Sequence, residues 1–331
     1  MKVRKIGAGR YTCMAIAVVV VAALAFLVYT PRASSQQAGQ GAQPGQGGPG
    51  GAPGGAQAGR GGRGGGGGFT HAAPEDYNDE TGYMSLFNGD NLDGWTSDGQ
   101  NWSVKDGAIY ANSTCEHPTG TIYIYSDIGL AGDFDLKVRM KGTGMVNSGI
   151  QYRSWLAEDL DAPHYPRPAF PGGGARGRGG FRGPQGPCPS GQPRGTPPDR
   201  AMESKYDMIG PQYDFDNGDH YPGQFYEQAT GRGIVAWPGE VVIENGDQPK
   251  QLMATLADAD TLKTWFHPND WNDEEVIAEG HTYLHFLNGH LASVFVDNDP
   301  TYFTKTGHIG FEIEATGEVF IKDVYLKKFS Q

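Results

Sequence analysis

Acidic residues are missing from the first 68 positions of this 331-residue chain, which carry seven Lys or Arg. The remaining residues hold 19 basic against 38 acidic side chains, a strongly anionic balance that disfavours a nucleic-acid partner. Long apolar runs are also missing. The longest, Met14 to Val28, has 15 residues, fewer than the roughly 20 that span a bilayer comfortably. It follows Lys2, Arg4, Lys5 and Arg10 and precedes Tyr29-Thr30-Pro31 and a small, polar stretch, so residues 1–33 read as an export signal. The cleavage site near Ala33 is poor, which leaves cleavage and retention as a membrane anchor both open. Cysteine is scarce: Cys13 precedes the apolar run, where a lipoprotein cysteine does not sit, and the mature chain keeps Cys115 and Cys188. An oxidising compartment permits these two to pair or to remain free thiols. Sustained helical periodicity is absent throughout.

What the sequence has in excess is glycine and proline, and both are localised. Residues 36–68 hold 17 Gly in 33 positions, and residues 161–200 hold 10 Pro and 10 Gly in 40. The first stretch cannot bury enough apolar surface to offset chain entropy, so 34–78 is assigned to a tether. The second interrupts a domain spanning 79–331 and carries six Arg; a loop this long is either functional or disordered.

Period-two alternation dominates the rest. Asp133 to Met140 alternates charged and apolar residues, Gly149 to Arg153 sets Gln151 and Arg153 opposite Ile150 and Tyr152, and Gln212 to Asp216 repeats the pattern. Asn288-Gly289 between two alternating arms predicts a hairpin. Strands recurring at about ten-residue spacing predict an all-β, two-sheet antiparallel sandwich. A short helix is expected near Pro268-Asn269-Asp270-Trp271, and Asp216-Asn217-Gly218-Asp219 reads as a plain turn in preference to a calcium loop.

Several ordered stretches are similar to the 3-keto-disaccharide hydrolase family: Leu86-Phe87-Asn88-Gly89 with Gly94-Trp95, Trp102 with Asp106-Gly107, Asn147 to Arg153, Trp271-Asn272, His285 to Gly289, and the closing Ile321 to Leu326. The resemblance implies a concanavalin A-like jelly roll in an exported bacterial protein. It also implies cleavage of glycosides whose C3 hydroxyl has become a ketone. The ketone acidifies the C2 hydrogen, a base removes it, the C1 substituent leaves, and water adds across the double bond. Such chemistry needs a base and a group that stabilises the enolate oxygen. No redox cofactor is required; a divalent metal at the enolate is left unassigned. An upstream sugar 3-oxidoreductase would have to supply the ketone. Ordinary glycoside hydrolysis instead needs two flanking carboxylates. The Glu-x-Asp-x-x-Glu run that supplies them in jelly-roll glucanases is absent, since Glu240 to Glu244 and Glu312-Ile313-Glu314 both lack the Asp. A non-catalytic carbohydrate-binding module is the rival reading.

The resemblance points to Arg153, Gln212, Asp214, Tyr226, Glu227 and Arg232 as the site. Asp214 and Glu227 are the expected bases and Arg153 the partner of the anionic intermediate. By alternation, entry of Leu284 and Phe286 into the core would put Tyr283 and His285 on the substrate face, where His285 would transfer a proton. His281 and His285 are too far apart on an extended strand to share a metal ion. Gln151 is a further substrate-side candidate, and Trp237, beside Pro238-Gly239, is a candidate for stacking on a sugar.

Overall fold

The computed structural model describes residues 76–159, 188, 206–246 and 248–329. The apolar run of the export signal, nearly all of the tether and all of the insert except Cys188 lie outside the described residues. Fifteen strands run through these segments in chain order. The first six are β1 (Met84–Ser85), β2 (Trp95–Ser97), β3 (Trp102–Lys105), β4 (Ala108–Ser113), β5 (Ile122–Ser126) and β6 (Phe134–Leu156). Next come β7 (Met208–Asp216), β8 (Phe225–Gln228), β9 (Gly233–Ala236), β10 (Glu240–Glu244) and β11 (Gln251–Thr255). The last four are β12 (Asn272–Glu279), β13 (Thr282–Leu287), β14 (His290–Asp297) and β15 (His308–Lys328).

Two long strands organise the sandwich, because each serves both layers. The first half of β6 pairs with β12 and with the second half of β15, and β12 continues through β13, β14, β10 and β11. The second half of β6 pairs with β7 and with the first half of β15, which extends the other layer through β8 and β9 on one side and β5 and β2 on the other. The layers change over where Gly144 faces Gly317. Both have positive φ (67° and 149°), and a Cβ on Gly144 would lie 3.2 Å from the Gly317 Cα, so only glycine fits both sides of this corner. All strand pairs are antiparallel except β10 with β14, which run parallel. That pair departs from the purely antiparallel expectation.

The core is the space between the layers. Phe225 meets Phe295 at 4.6 Å between ring centroids, Tyr152 meets Tyr283 at 5.9 Å and Phe215 meets Phe266 at 5.6 Å. Phe134, Leu136, Val138 and Met140 enter this core as their alternation predicts. Their odd-numbered neighbours are also covered, because Tyr77 and Tyr83 fold over the outside of β6. The Tyr77 hydroxyl donates to Val138 O at 2.9 Å and the Tyr83 hydroxyl to Asp135 Oδ2 at 2.6 Å. Arg139 also donates to Asn78 Oδ1 at 2.7 Å. Tyr77 and Asn78, assigned to the tether by composition, are therefore packed on the domain.

The Asn288-Gly289 hairpin forms between β13 and β14, with φ of 49° and 76°, as a type I′ turn requires. The expected helix is misplaced in the sequence reading. Residues 268–271 form a turn, whereas the short helix α1 is Ala259–Leu262, started by Asp258, whose side chain accepts from Thr261 N at 2.8 Å. Asp216 accepts from the backbone N–H groups of Gly218, His220 and Tyr221, which makes its loop a turn closed by one carboxylate. Cys115 and Cys188 are joined in a disulfide, with their Cα atoms 5.8 Å apart.

Candidate functional site

Strand register brings together side chains that are distant in sequence. Glu312 on β15 and Asp214 on β7 are both register partners of Gly149 on β6, which lies between them. Residues opposite one another in a sheet point to the same face. The row Phe311, Ile150, Tyr213 and Phe225 enters the core. Glu312, Gly149 and Asp214 therefore face outward, as do the adjacent rows Glu314–Asn147–Asp216 and Gly310–Gln151–Gln212–Tyr226. Glycine is required at 149 and 310 because neighbours already fill the place of a Cβ, the Gln212 amide over Gly149 and the Met208 sulfur over Gly310. A Cβ on Gly149 would overlap the Gln212 Nε2 and come within 2.7 Å of Tyr213 O.

A cleft of about 250 Å³ opens over this floor. Asp214, Glu312 and Glu314 line it with Asn147, Gln212, Gln224, Gln228, Tyr221 and Tyr226, and among the described residues no basic side chain lines it. Gln212 Nε2 donates to Glu312 Oε2, the Tyr123 hydroxyl donates to Glu312 Oε1 at 3.3 Å, and Gln224 Nε2 donates to Asp214 Oδ2. Asp214 Oδ1 and Gln224 Oε1 have no hydrogen-bond partner among the described residues. Burial pushes the Asp214 carboxyl well above the usual carboxylate range, and the charges of Asp216 and Glu314 add to this. Burial does the same to Glu312, with Glu314 and Asp214 reinforcing it. Crowding and desolvation raise the proton affinity of carboxyls of this kind, which suits groups that accept and donate protons. Among the described residues, no group of three or more His, Cys, Asp or Glu side chains is arranged to hold a metal ion.

Four of the residues expected at the site lie on or under this floor: Asp214, Gln212 and Tyr226 line the cleft, and Gln151 lies in the Gln212 register row, fully buried. Arg153 is placed elsewhere. A register irregularity between Gln151 and Trp155 and a φ of 47° at Arg153 break the alternation that would have kept it on the cleft side. Its fully buried guanidinium binds Asp133 Oδ1 at 2.6 Å, Gly132 O at 2.9 Å and Gly280 O at 2.8 Å. Glu227 points the opposite way from Tyr226. It takes two hydrogen bonds from Arg232, which also binds Asp297 Oδ2 at 2.7 Å and Glu244 Oε2 at 3.1 Å, so Glu227 and Arg232 latch the two layers together.

His285 is also in the core, because β13 turns Tyr283, His285 and Leu287 inward and leaves Leu284 and Phe286 half-exposed, the reverse of the expected facing. Its Nε2 is 2.6 Å from the Tyr152 hydroxyl, and burial pushes its pKa down to about 3. Trp237 is 46% exposed and lies outside the cleft, its ring 6.2 Å from that of Tyr221. Glu312, Glu314, Gln224, Tyr221 and Asn147 were not singled out as site residues. The signal for the two glutamates was present in β15, where Phe311 and Ile313 alternate with Glu312 and Glu314, but their neighbours in the sheet come from 100 residues away or more.

Residues 82–327 match the family model of the 3-keto-alpha-glucoside-1,2-lyase-like domain. No curated protein matches the chain in sequence. Among solved structures, a glycosyl-hydrolase candidate from Parabacteroides distasonis is 17% identical over 76% of this chain and 97% of its own, with a TM-score of 0.42. The carbohydrate-binding module CBM66 from Bacillus subtilis is 14% identical over 71% and 96%, with a TM-score of 0.38. A Bacillus licheniformis β-glucanase is 13% identical over 75% and 99%, with a TM-score of 0.40. Likeness at this level transfers no residue roles. The family match, however, runs from just before β1 into the end of β15 and takes in the whole cleft floor, so the chain belongs to the 3-keto-alpha-glucoside-1,2-lyase-like domain family.

Proposed function

We propose that the protein cleaves 3-keto-glycosides or 3-keto-disaccharides by elimination followed by hydration, giving net hydrolysis. The family match supports the substrate class. The observation that carries the chemistry is the pair of outward-facing carboxyls with raised proton affinity, Asp214 and Glu312, on strands either side of Gly149. Asp214 is the base, because its Oδ1 has no hydrogen-bond partner among the described residues and its raised pKa suits removal of the C2 proton. Glu312 is the acid that gives its proton to the departing C1 oxygen. With Arg153 held elsewhere, the C3 enolate oxygen would be stabilised by neutral donors lining the cleft, the Tyr226 hydroxyl and the side-chain amides. Water then adds at C1 and gives its proton to Glu312, while the proton on Asp214 returns to C2, so both carboxyls regain their starting states.

The same reading makes the substrate the product of an upstream sugar 3-oxidoreductase. It also makes the protein an exported one, at the cell surface or in the periplasm, in keeping with the disulfide between Cys115 and Cys188. Incubating the purified protein with a 3-keto-glucoside and with its unoxidised parent tests the mechanism. Release of the leaving group from the ketone alone is expected. Equal release from both would overturn elimination, and binding without any release would leave a carbohydrate-binding module.

A further inference from the structure

A second groove, of about 220 Å³, lies beside the cleft. Its walls are Trp237, Pro238, Pro222, Leu262, Trp265 and Ala292, and its charged groups are confined to Asp219, His220 and Lys263. One short loop joins the two sites. Asp219, His220 and Pro222 line the groove while Tyr221, between them in sequence, lines the cleft close enough to Asp214 for that carboxylate to raise the Tyr221 pKa, after burial, which is the larger effect. The Tyr221 ring is 6.2 Å from Trp237 at an interplanar angle of 35°. The two rings thus form a discontinuous aromatic surface leading out of the cleft.

Trp237 is exposed, yet its backbone is fixed. It starts the tight turn between β9 and β10, in which Glu240 N donates to Trp237 O at 3.0 Å and Trp237 N donates to Glu240 Oε2 at 3.0 Å. Gly239, two residues on, is held as well. Gly239 N donates to Ala292 O at 2.6 Å, and Gly239 has φ of 88°, where a Cβ would come within 2.9 Å of Leu262 Cδ1. A large ring displayed on a rigid turn loses little conformational entropy when something stacks on it.

We infer that this groove is the leaving-group subsite of the proposed reaction, and that it selects planar, apolar aglycones over a second sugar. The inference rests on the keto-glycoside reading for its position, since the sugar ring would occupy the acidic cleft and its C1 substituent would extend past Tyr221 towards Trp237. The preference follows from the walls. Asp219, His220 and Lys263 can each bond a sugar hydroxyl, but the tryptophan, proline, leucine and alanine surfaces that make up most of the lining cannot, whereas an aromatic ring covers those surfaces without leaving polar groups unpaired.

Calorimetric binding of phenyl and methyl α-glucosides, which the proposed mechanism leaves uncleaved, is compared in the wild type and in Trp237→Ala. The wild type is expected to bind the phenyl glucoside about tenfold more tightly than the methyl one, and Trp237→Ala to lose that margin while Trp237→Phe keeps most of it. With the 3-keto forms, Trp237→Ala should raise KM for the phenyl substrate about tenfold and leave the methyl substrate unchanged. A preference for the phenyl glucoside that survives in Trp237→Ala, or an equal loss for both ligands, would overturn the subsite. Failure of the wild type to cleave either ketone would instead overturn the keto-glycoside reading, with the binding comparison still deciding what the groove prefers. A wild type that binds 3-keto-maltose more tightly than the 3-keto phenyl glucoside would refute the aglycone preference.

Discussion

The Tyr152 hydroxyl lies 2.6 Å from His285 Nε2 between the two layers, with the His285 ring stacked on Phe225 at 5.5 Å and tilted against Tyr213 at 4.8 Å. This environment keeps the imidazole neutral, because burial lowers its pKa to about 3. The sign of the effect on stability follows. Below pH 6.5 the unfolded chain takes up a proton at this histidine that the folded chain does not, so stability is complete above about pH 6.5 and declines as pH falls towards 3. The His285 ring resonances are expected to stay constant from pH 8 to pH 4, and a midpoint near 6.5 would show that the ring is exposed. His285→Gln should flatten the acid-side decline in stability, measured by denaturant unfolding at several pH values.

Asp214, Glu312 and Glu227 are separable by what each substitution damages. Asp214→Asn and Glu312→Gln are expected to lower kcat by roughly 10²–10⁴ with little loss of stability, as removal of a general base or acid does. Glu227→Gln should act in the other direction. It breaks a latch in which Arg232 would keep Asp297 and Glu244 but lose its bidentate partner, so the melting temperature falls while kcat stays within a few-fold of wild type. Large kcat losses in Glu227→Gln with unchanged stability would return the catalytic base to Glu227.

Gly149→Ala probes the same floor without removing a carboxyl. The added methyl would overlap the Gln212 amide that holds Glu312 and would crowd Tyr213 O, so kcat/KM should drop by at least about tenfold as the acid loses its positioning partner. Steady-state kinetics on a 3-keto-glucoside decide this, and wild-type kinetics in Gly149→Ala would show that the Gln212 contact does not matter.

These residues also show how far the sequence could be read. Gln212 and Asp214 were legible because Tyr213 and Phe215 alternate with them, so their facing follows from their neighbours, whereas Tyr226 was reached only through the family resemblance. Glu312 has the same alternation but meets Gln212 only through a pairing in which β6 separates β15 from β7, and no local pattern encodes that register. Arg153 was misread because alternation assumes an unbroken strand, and the irregularity after Gln151 reverses its side. β13 was misread for a different reason. Thr282 to Leu287 has apolar or aromatic residues at both parities, so alternation alone does not choose the inward face, and in the fold Tyr283 and His285 pack against Phe225 and Phe295.

Glu274 is a buried acid with no evident catalytic use. It is fully inaccessible, both carboxylate oxygens lack hydrogen-bond partners, and burial holds its pKa well above the usual range, with Asp273 and Asp214 contributing. Here the folded state retains a proton that the unfolded state releases above about pH 4.5, so stability falls as pH rises from that value through the raised folded pKa. Glu274→Leu, which replaces unpaired oxygens with methyl groups in the same core, is expected to stabilise the protein by roughly 1–3 kcal/mol at pH 8 and by less at pH 5. Urea unfolding at the two pH values measures the difference. A destabilised variant at pH 8 would mean that the carboxylate has a partner and is not an orphan.

The disulfide between Cys115 and Cys188 closes a loop over a sequence separation of 73 residues, and all of β5 and β6 lie within that loop. Constraining so long a segment in the unfolded chain stabilises the fold by up to about 4 kcal/mol in the chain-entropy picture. The bridge also has a local consequence. Cys115 precedes Thr119, whose N–H donates to Ser113 Oγ at 3.1 Å, and the same connection continues to Thr121 in the cleft wall. Reduction is therefore expected to lower the melting temperature and to raise KM for a 3-keto-glucoside a few-fold through the Thr121 side of the cleft. The kcat should hold, because Asp214 and Glu312 are fixed by strand pairing on β7 and β15 and not by this connection. Cys115→Ser, assayed with and without dithiothreitol, should show the reduced-state values under both conditions. If it retains the wild-type melting temperature and KM, the bridge contributes neither to stability nor to the cleft wall.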